Sequence, residues 1–256
     1  MLRFKNKHAL IVGGSGGIGS YFSRLLCASG ASVTVHGSCD SIKFKHLQQE
    51  LREILQTTGM TPSLDFLVQN ISLEDFKNLD KSPLIERARD TDILIVCFGP
   101  FVQKSVEETS FEDWQKLSLF DYALPGFLTS AALPFMKKKR WGRILLFGGT
   151  RTYSMDGFYT NAAYAGAKTG VCSFVRSVAT TYAKYGITCN ALLPGLVDTE
   201  YIESEQKKKL SRKMPTGKLV SAEKIAESGL FLIEHEELNG VLLNVDGGWK
   251  PAGNVL

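Results

Sequence analysis

Tyr164-Ala-Gly-Ala-Lys168 sets a phenol and an ammonium four residues apart, a spacing that places both on one face of a helix. A free tyrosine, with a pKa of about 10, is almost wholly protonated at neutral pH. A neighbouring cation favours the phenolate, so Lys168 is expected to lower the Tyr164 pKa and make it a general acid or base. A second candidate lies near the N-terminus. Gly13-Gly-Ser15-Gly-Gly17-Ile18-Gly19 follows the apolar run His8–Val12 and precedes a stretch with Phe22, Leu25 and Leu26 at helical spacing. A glycine-rich turn between strand and helix lets the backbone approach a pyrophosphate, and the helix N-terminus offers free amides and partial positive charge. The spacing is G-x-x-x-G-x-G, not the G-x-G-x-x-G of the commonest dinucleotide sites.

Both candidates require a scaffold of strands and helices. Strand-like runs fall near 8–12, 32–36, 64–68, 93–97, 143–147, 188–193 and 241–245, with helical patterns between them, the longest near 111–139 and 160–184. This alternation predicts a doubly wound α/β fold of the Rossmann type, with about seven parallel strands covered on both faces. No linker or internal repeat interrupts the 256 residues, which predicts a single domain. The composition, 44% hydrophobic and 22% charged, is that of a soluble protein, and no long apolar run or signal segment argues for export or a membrane. Five scattered cysteines without a C-x-x-C pair argue for reduced thiols in the cytoplasm and against a disulfide scaffold or a metal site. A formal charge of +4 is too mild to imply nucleic acid.

The glycine loop and the Tyr-x-x-x-Lys pair together resemble the short-chain dehydrogenase/reductase family, in its compact single-domain branch. Three further segments extend the resemblance over nearly the whole chain. Gly142-Arg-Ile144 is similar to the family's entry into strand five, Asn190 to Thr199 to its segment after strand six, and Val245-Asp-Gly-Gly248 to its C-terminal strand end. The resemblance implies an NAD(P)-dependent oxidoreductase. Gly13, Ser15, Gly17, Ile18, Gly19 and Gly99 would hold the dinucleotide, Lys168 would bind the nicotinamide ribose, and Pro194, Gly195, Val197 and Thr199 would face the nicotinamide and phosphates.

The family's NAD-users carry Asp where this chain has Gly37, so a 2′-phosphate meets no repulsion there, and Ser38, Lys43 or His36 are candidates to contact it. NADPH is therefore the expected cofactor, with NAD possible, since Gly16 replaces the family's frequent basic residue in the glycine loop. Asn70 and Ile71 match the segment that contacts adenine. The family's Asn-Asn-Ala-Gly reads Val96-Cys97-Phe98-Gly99, and the Asn of its catalytic tetrad falls on Asp121. Its serine aligns with Gly149, leaving Thr150 as the expected substitute and Thr152 in reserve.

Residues 196–217 are expected to form a substrate lid carrying Lys207-Lys-Lys209, Arg212 and Lys213, with the next helix starting at Ser221. These cations are either a solvated face or an attraction for an acidic partner such as an acyl carrier protein, whose docking positions in the family fall on Arg140 and Tyr185. Phe98, Phe101, Tyr153, Phe158, Tyr159, Tyr201 and Trp249 are candidates for an apolar pocket. The resemblance also implies a homotetramer or homodimer, with Leu117, Phe120, Phe127, Phe174 and Val178 as candidate surface or sheet-facing residues. Three readings follow: an NADPH-dependent reductase of small or apolar ketones by hydride transfer, with Tyr164 as acid; a 3-oxoacyl carrier-protein reductase; and a dinucleotide-binding regulator without turnover.

Overall fold

A computed structural model describes residues 3–58, 61–154, 157–158 and 160–250. The first half of the chain runs β1 (His8–Val12), α1 (Gly17–Ala28), β2 (Ser32–Gly37), α2 (Ile42–Thr58), β3 (Leu64–Val68), α3 (Pro83–Ala88) and β4 (Ile93–Val96). It continues through α4 (Phe111–Ser118), α5 (Leu124–Lys139), β5 (Gly142–Phe147), α6 (Ala162–Tyr182) and β6 (Ile187–Pro194). The last part holds β7 (Val197–Asp198), α7 (Ser204–Ser211), β8 (Val220–Ser221), α8 (Ala222–Glu234) and β9 (Leu242–Val245). Seven strands form one sheet in the order β3-β2-β1-β4-β5-β6-β9, and every pair in it is parallel. The Rossmann-type α/β expectation is met, and each predicted strand appears within a residue or so of its expected bounds.

Strand periodicity explains the two-sided core. Leu10, Val12, Leu94 and Val96 point to the face covered by α3, α5 and α6, whereas Ala9, Ile11, Ile93 and Ile95 point to the face covered by α1, α2 and α8. With both faces buried, the strands read as continuous apolar runs. The strand order reverses between β1 and β4, so the loops after these two strands diverge and leave a crevice at their carboxyl ends. The glycine loop follows β1 and Cys97–Gly99 follow β4, which brings both segments to that crevice.

The long helix expected over 111–139 is interrupted. Ser110 caps α4 in a reciprocal pair with Asp113, and a wide π-type turn, Leu119–Ala123, then separates α4 from α5. Pro125 has no amide to offer the carbonyl four residues earlier, that of Asp121, so the regular ladder cannot pass this point. Of the candidate subunit-surface residues, Leu117, Phe120 and Val178 are buried in the interior, Phe174 is half-buried and Phe127 is exposed. Phe111, Trp114 and Tyr122 are the other exposed aromatics of this region.

Candidate active site

The glycine loop takes its shape from backbone crowding. Gly13 has φ +75 and lies against the β4 end, where a Cβ would come 3.2 Å from the Cys97 carbonyl oxygen and from Phe98 Cβ. A Cβ at Gly19 would collide with the Gly13 carbonyl, so the first turn of α1 can close on the loop only without a side chain there. Ile18 packs into the core beneath. At the α1 N-terminus the Gly17 amide donates to a Glu200 carboxylate oxygen at 2.9 Å. Tyr201 reaches over the same turn, its hydroxyl filling the space beside Gly16, and Thr199 lies near Gly17. The site thus already accepts an anion, as a helix N-terminus does, and Glu200 with Tyr201 covers it. The sequence offered Tyr201 only for an apolar pocket and Glu200 only as part of the segment expected to form a lid.

The next wall of the crevice is built from the ends of β2 and β3. Gly37 is buried against Ser15, and a Cβ there would stand 2.7 Å from the Ser15 hydroxyl and 3.0 Å from Phe44. The position therefore refuses a carboxylate for steric reasons as well. Ser38 and Asn70 are exposed beside it, and Ile71 is buried beneath. A cleft of about 310 Å³ opens from Ser15 and Gly16 between α1 and α2, with Lys43, His46 and Arg24 on its walls. His36 is not among the groups open to a phosphate, contrary to expectation. It is 2% exposed, and both ring nitrogens are engaged, with the Gly13 amide at 3.2 Å and the Gln69 carbonyl at 2.8 Å.

The chemistry-bearing side chains converge across the crevice. The Lys168 Nζ lies 2.9 Å from Asp121 Oδ1, and both groups are buried. The contact is a buried ion pair. Gly99 faces this pair, and a Cβ there would collide with Asp121 Oδ1. The Lys168 Nζ stands 5.6 Å from the Tyr164 ring centre, and Phe101 packs edge-on against the same ring at 4.9 Å. Phe98 turns the other way, onto Phe120. Tyr153 and Tyr201 are exposed, Phe158 and Trp249 are partly buried, and Tyr159 lies outside the described residues.

Electrostatics here differ from the simple pair read in the sequence. Burial pushes the Tyr164 phenol above its ordinary value; Lys168 pulls it down, and Asp121 pushes it up again. The net shift is upward, so the expected lowering by Lys168 is corrected: Asp121 offsets part of that cation, and packed protein opposes the phenolate. Burial works against the Lys168 charge, but Tyr164 and Asp121 together outweigh it and hold the ammonium above its ordinary value. For Asp121 burial prevails over Lys168, and its carboxyl lies above the usual carboxylate range.

Gly149 faces the Tyr164 hydroxyl, 3.6 Å from where its Cβ would stand. The two threonines beside it are engaged elsewhere. Thr150 donates its hydroxyl to the Pro194 carbonyl at 2.7 Å, and Thr152 donates to the Gly149 carbonyl at 2.8 Å while accepting from the Gly149 amide at 3.0 Å. The Gly195 amide donates to the Val245 carbonyl at 3.1 Å, and Val197 lies in β7, which pairs with β8. No group of metal-ligating side chains occurs among the described residues.

Residues 7–210 match the short chain dehydrogenase family. The chain belongs to that family. As a short-chain dehydrogenase/reductase it is an oxidoreductase with a nucleotide-binding fold. It is 28% identical over 256 residues to a 3-oxoacyl-[acyl-carrier-protein] reductase of Escherichia coli, covering 96% of this chain and 98% of that one. A D-beta-hydroxybutyrate dehydrogenase of Rhizobium meliloti is 25% identical over 260 residues, covering 95% and 98%. Among solved structures, a putative NAD(P) dependent gluconate 5-dehydrogenase from Beutenbergia cavernae with bound NADP is similar, with a TM-score of 0.80 at 25% identity, covering 97% of this chain and 98% of that one.

Proposed function

We propose that this chain is an NADPH-dependent carbonyl reductase in which Tyr164 is the general acid. The observation that carries the reading is that Asp121 and Lys168 meet at Gly99 with the Tyr164 ring beside Lys168, while the glycine loop already accepts a carboxylate. The residues fit a nicotinamide dinucleotide. Gly13, Ser15, Gly17, Ile18 and Gly19 would take the pyrophosphate, and Gly37, Ser38, Asn70 and Ile71 the adenosine half. Gly99, Pro194, Gly195, Val197, Thr199 and Lys168 would take the nicotinamide half. Gly37 supports NADPH over NAD, because it offers no carboxylate to the ribose and has no room for one.

When bound, the cofactor supplies the hydride. Tyr164, held above its ordinary value, keeps its proton at neutral pH and gives it to the oxygen of the reduced carbonyl. Lys168 lies on the same side and stabilises the phenolate that remains. The second hydrogen bond to that oxygen falls to Thr150 once its hydroxyl turns from the Pro194 carbonyl. Residues 196–217 act as the lid, and the exposed aromatics of α4 and α5 support a homodimer or homotetramer. The five unpaired cysteines support a cytoplasmic location.

The test is NADPH oxidation across a panel of ketones and acetoacetyl thioesters. Turnover that falls by about 10²- to 10⁴-fold in Tyr164→Phe supports the reading. Tight dinucleotide binding with no turnover on any carbonyl favours a regulator, to which the engaged hydroxyls of Thr150 and Thr152 already lean. A second reading, reduction of a carrier-bound 3-oxoacyl group, is supported by three cations, Lys137, Arg140 and Lys184, around the Tyr185 ring.

A further inference from the structure

His36 occupies the penultimate position of β2 and joins three neighbouring strand ends through one ring. A carbonyl oxygen only accepts hydrogen bonds, so the 2.8 Å contact with Gln69 places the ring proton on Nε2. The Nδ1 lone pair then receives the Gly13 amide at 3.2 Å, and the tautomer is fixed. Gly13 follows β1 and opens the glycine loop, and Gln69 follows β3 and immediately precedes Asn70. The Gln69 amide also donates to the Gly37 carbonyl at 2.9 Å. Since β3, β2 and β1 are adjacent in the sheet, the imidazole spans the whole floor of the adenosine side.

A second proton on this ring has nowhere to go. It would set an Nδ1–H against the Gly13 N–H, donor against donor, in a place closed to water. The groups meeting the ring nitrogens are the Gly13 amide, just after β1, and the Gln69 carbonyl, just after β3. Burial and that carbonyl act on the ring in opposite directions; burial prevails, holds the imidazole below its ordinary value and so favours the neutral ring.

We propose that neutral His36 is a positioning residue for dinucleotide binding, tying the glycine loop to the segment that meets the adenine, and that its protonation loosens the loop and weakens binding in acid. This rests on the dinucleotide reading of the glycine loop but not on turnover.

The full chain, as wild type, His36→Gln and His36→Phe, is titrated with NADP⁺ and with ADP-ribose between pH 8 and pH 5.5 by tryptophan fluorescence. ADP-ribose lacks the 2′-phosphate, whose own titration would otherwise enter the profile. Imidazole nitrogen NMR on the wild type reports the tautomer and its titration. The expected tautomer carries its proton on Nε2. Wild-type affinity should fall by up to about tenfold per pH unit below the midpoint read by NMR. His36→Gln, which keeps one donor and one acceptor but cannot titrate, should bind as wild type at pH 8 and lose this slope. His36→Phe should bind about tenfold more weakly at pH 8, as befits the loss of both bonds. Equal slopes in wild type and His36→Gln, a proton found on Nδ1, or full affinity in His36→Phe would each overturn the proposal. Should His36→Phe fail to fold, the glutamine variant and the NMR tautomer decide. Wild type that binds neither probe at pH 8 overturns the dinucleotide reading itself, and this proposal with it.

Discussion

At the scale of single residues the active site turns on Asp121, a carboxylate where an amide was the family's pattern. It lies against Lys168 inside the protein and adds to the burial that raises the Tyr164 phenol, so the tyrosine is better suited to give a proton than to take one. Asp121→Asn removes that upward push, and the phenolate then becomes easier to form. In the direction of alcohol oxidation, which needs the phenolate as base, the acid limb of the kcat/KM profile should therefore move to lower pH; a profile unmoved by the substitution would show that Asp121 does not tune Tyr164. Gly149 is the other departure. In Gly149→Ser the new Cβ would stand 3.6 Å from the Tyr164 oxygen, with its hydroxyl within reach of the same space, but it would have to fit beside Tyr164 Cε1 at 3.3 Å. Because a well-placed donor to a developing oxyanion is worth about 10²-fold or more, the variant should raise carbonyl turnover despite this crowding. Steady-state kinetics on the ketone panel measures the change.

Among the elements, the segment after β7 and the turn before α5 decide how open the site is. Glu200 accepts from the first amide of α1, and Tyr201 lies over the loop beside it. On the proposed dinucleotide reading, an entering pyrophosphate displaces the carboxylate, which forgoes a helix-terminus interaction of about 0.3–1 kcal/mol. Glu200→Ala should therefore bind NADPH about two- to fivefold more tightly, as read by energy transfer from tryptophan to nicotinamide. Weaker binding would mean that Glu200 holds the lid in place for the cofactor instead. The π-type turn has a similar role for Asp121, since it breaks the run of α4 into α5 at the residue that meets Lys168. The apolar periodicity over 111–139 reads as one helix because both halves bury the same kind of face. The interruption comes from one missing amide at Pro125, which periodicity does not register.

Across the whole molecule, α1 and α8 cover one face of the sheet by close approach. A Cβ at Gly229 of α8 would collide with the Phe22 ring and stand 2.7 Å from Leu145 Cδ2. Gly229→Ala should lower stability by about 1–3 kcal/mol through overpacking, and a urea or thermal melt would register the loss without any change in dinucleotide chemistry. The same scale bears on the carrier-protein reading. Arg140 precedes β5 and Lys184 precedes β6, whereas Thr150 and Tyr164 follow the other end of β5 and Pro194 ends β6. A strand of six residues spans about 20 Å, so the basic cluster and Tyr164 lie at opposite ends of the sheet. A partner docked on the cluster would serve the Tyr164 of a neighbouring subunit more readily than that of its own.

The amino-acid order alone determined the seven strands, their parallel arrangement and the end of the sheet where the chemistry gathers, because strand and helix periods and glycine turns are local properties of the chain. It also singled out Tyr164, Lys168 and the glycine loop, whose spacing is written within short segments, while Asp121 came only from the family resemblance. The tertiary structure alone decided what surrounds them. That His36 is spent on Gly13 and Gln69, that Thr150 donates to Pro194, that Glu200 meets Gly17 and that burial raises the Tyr164 phenol all depend on residues far apart in the chain. Hydrogen-bond partners and desolvation are properties of packed neighbours, and packing is set only when the strands and helices close on one another.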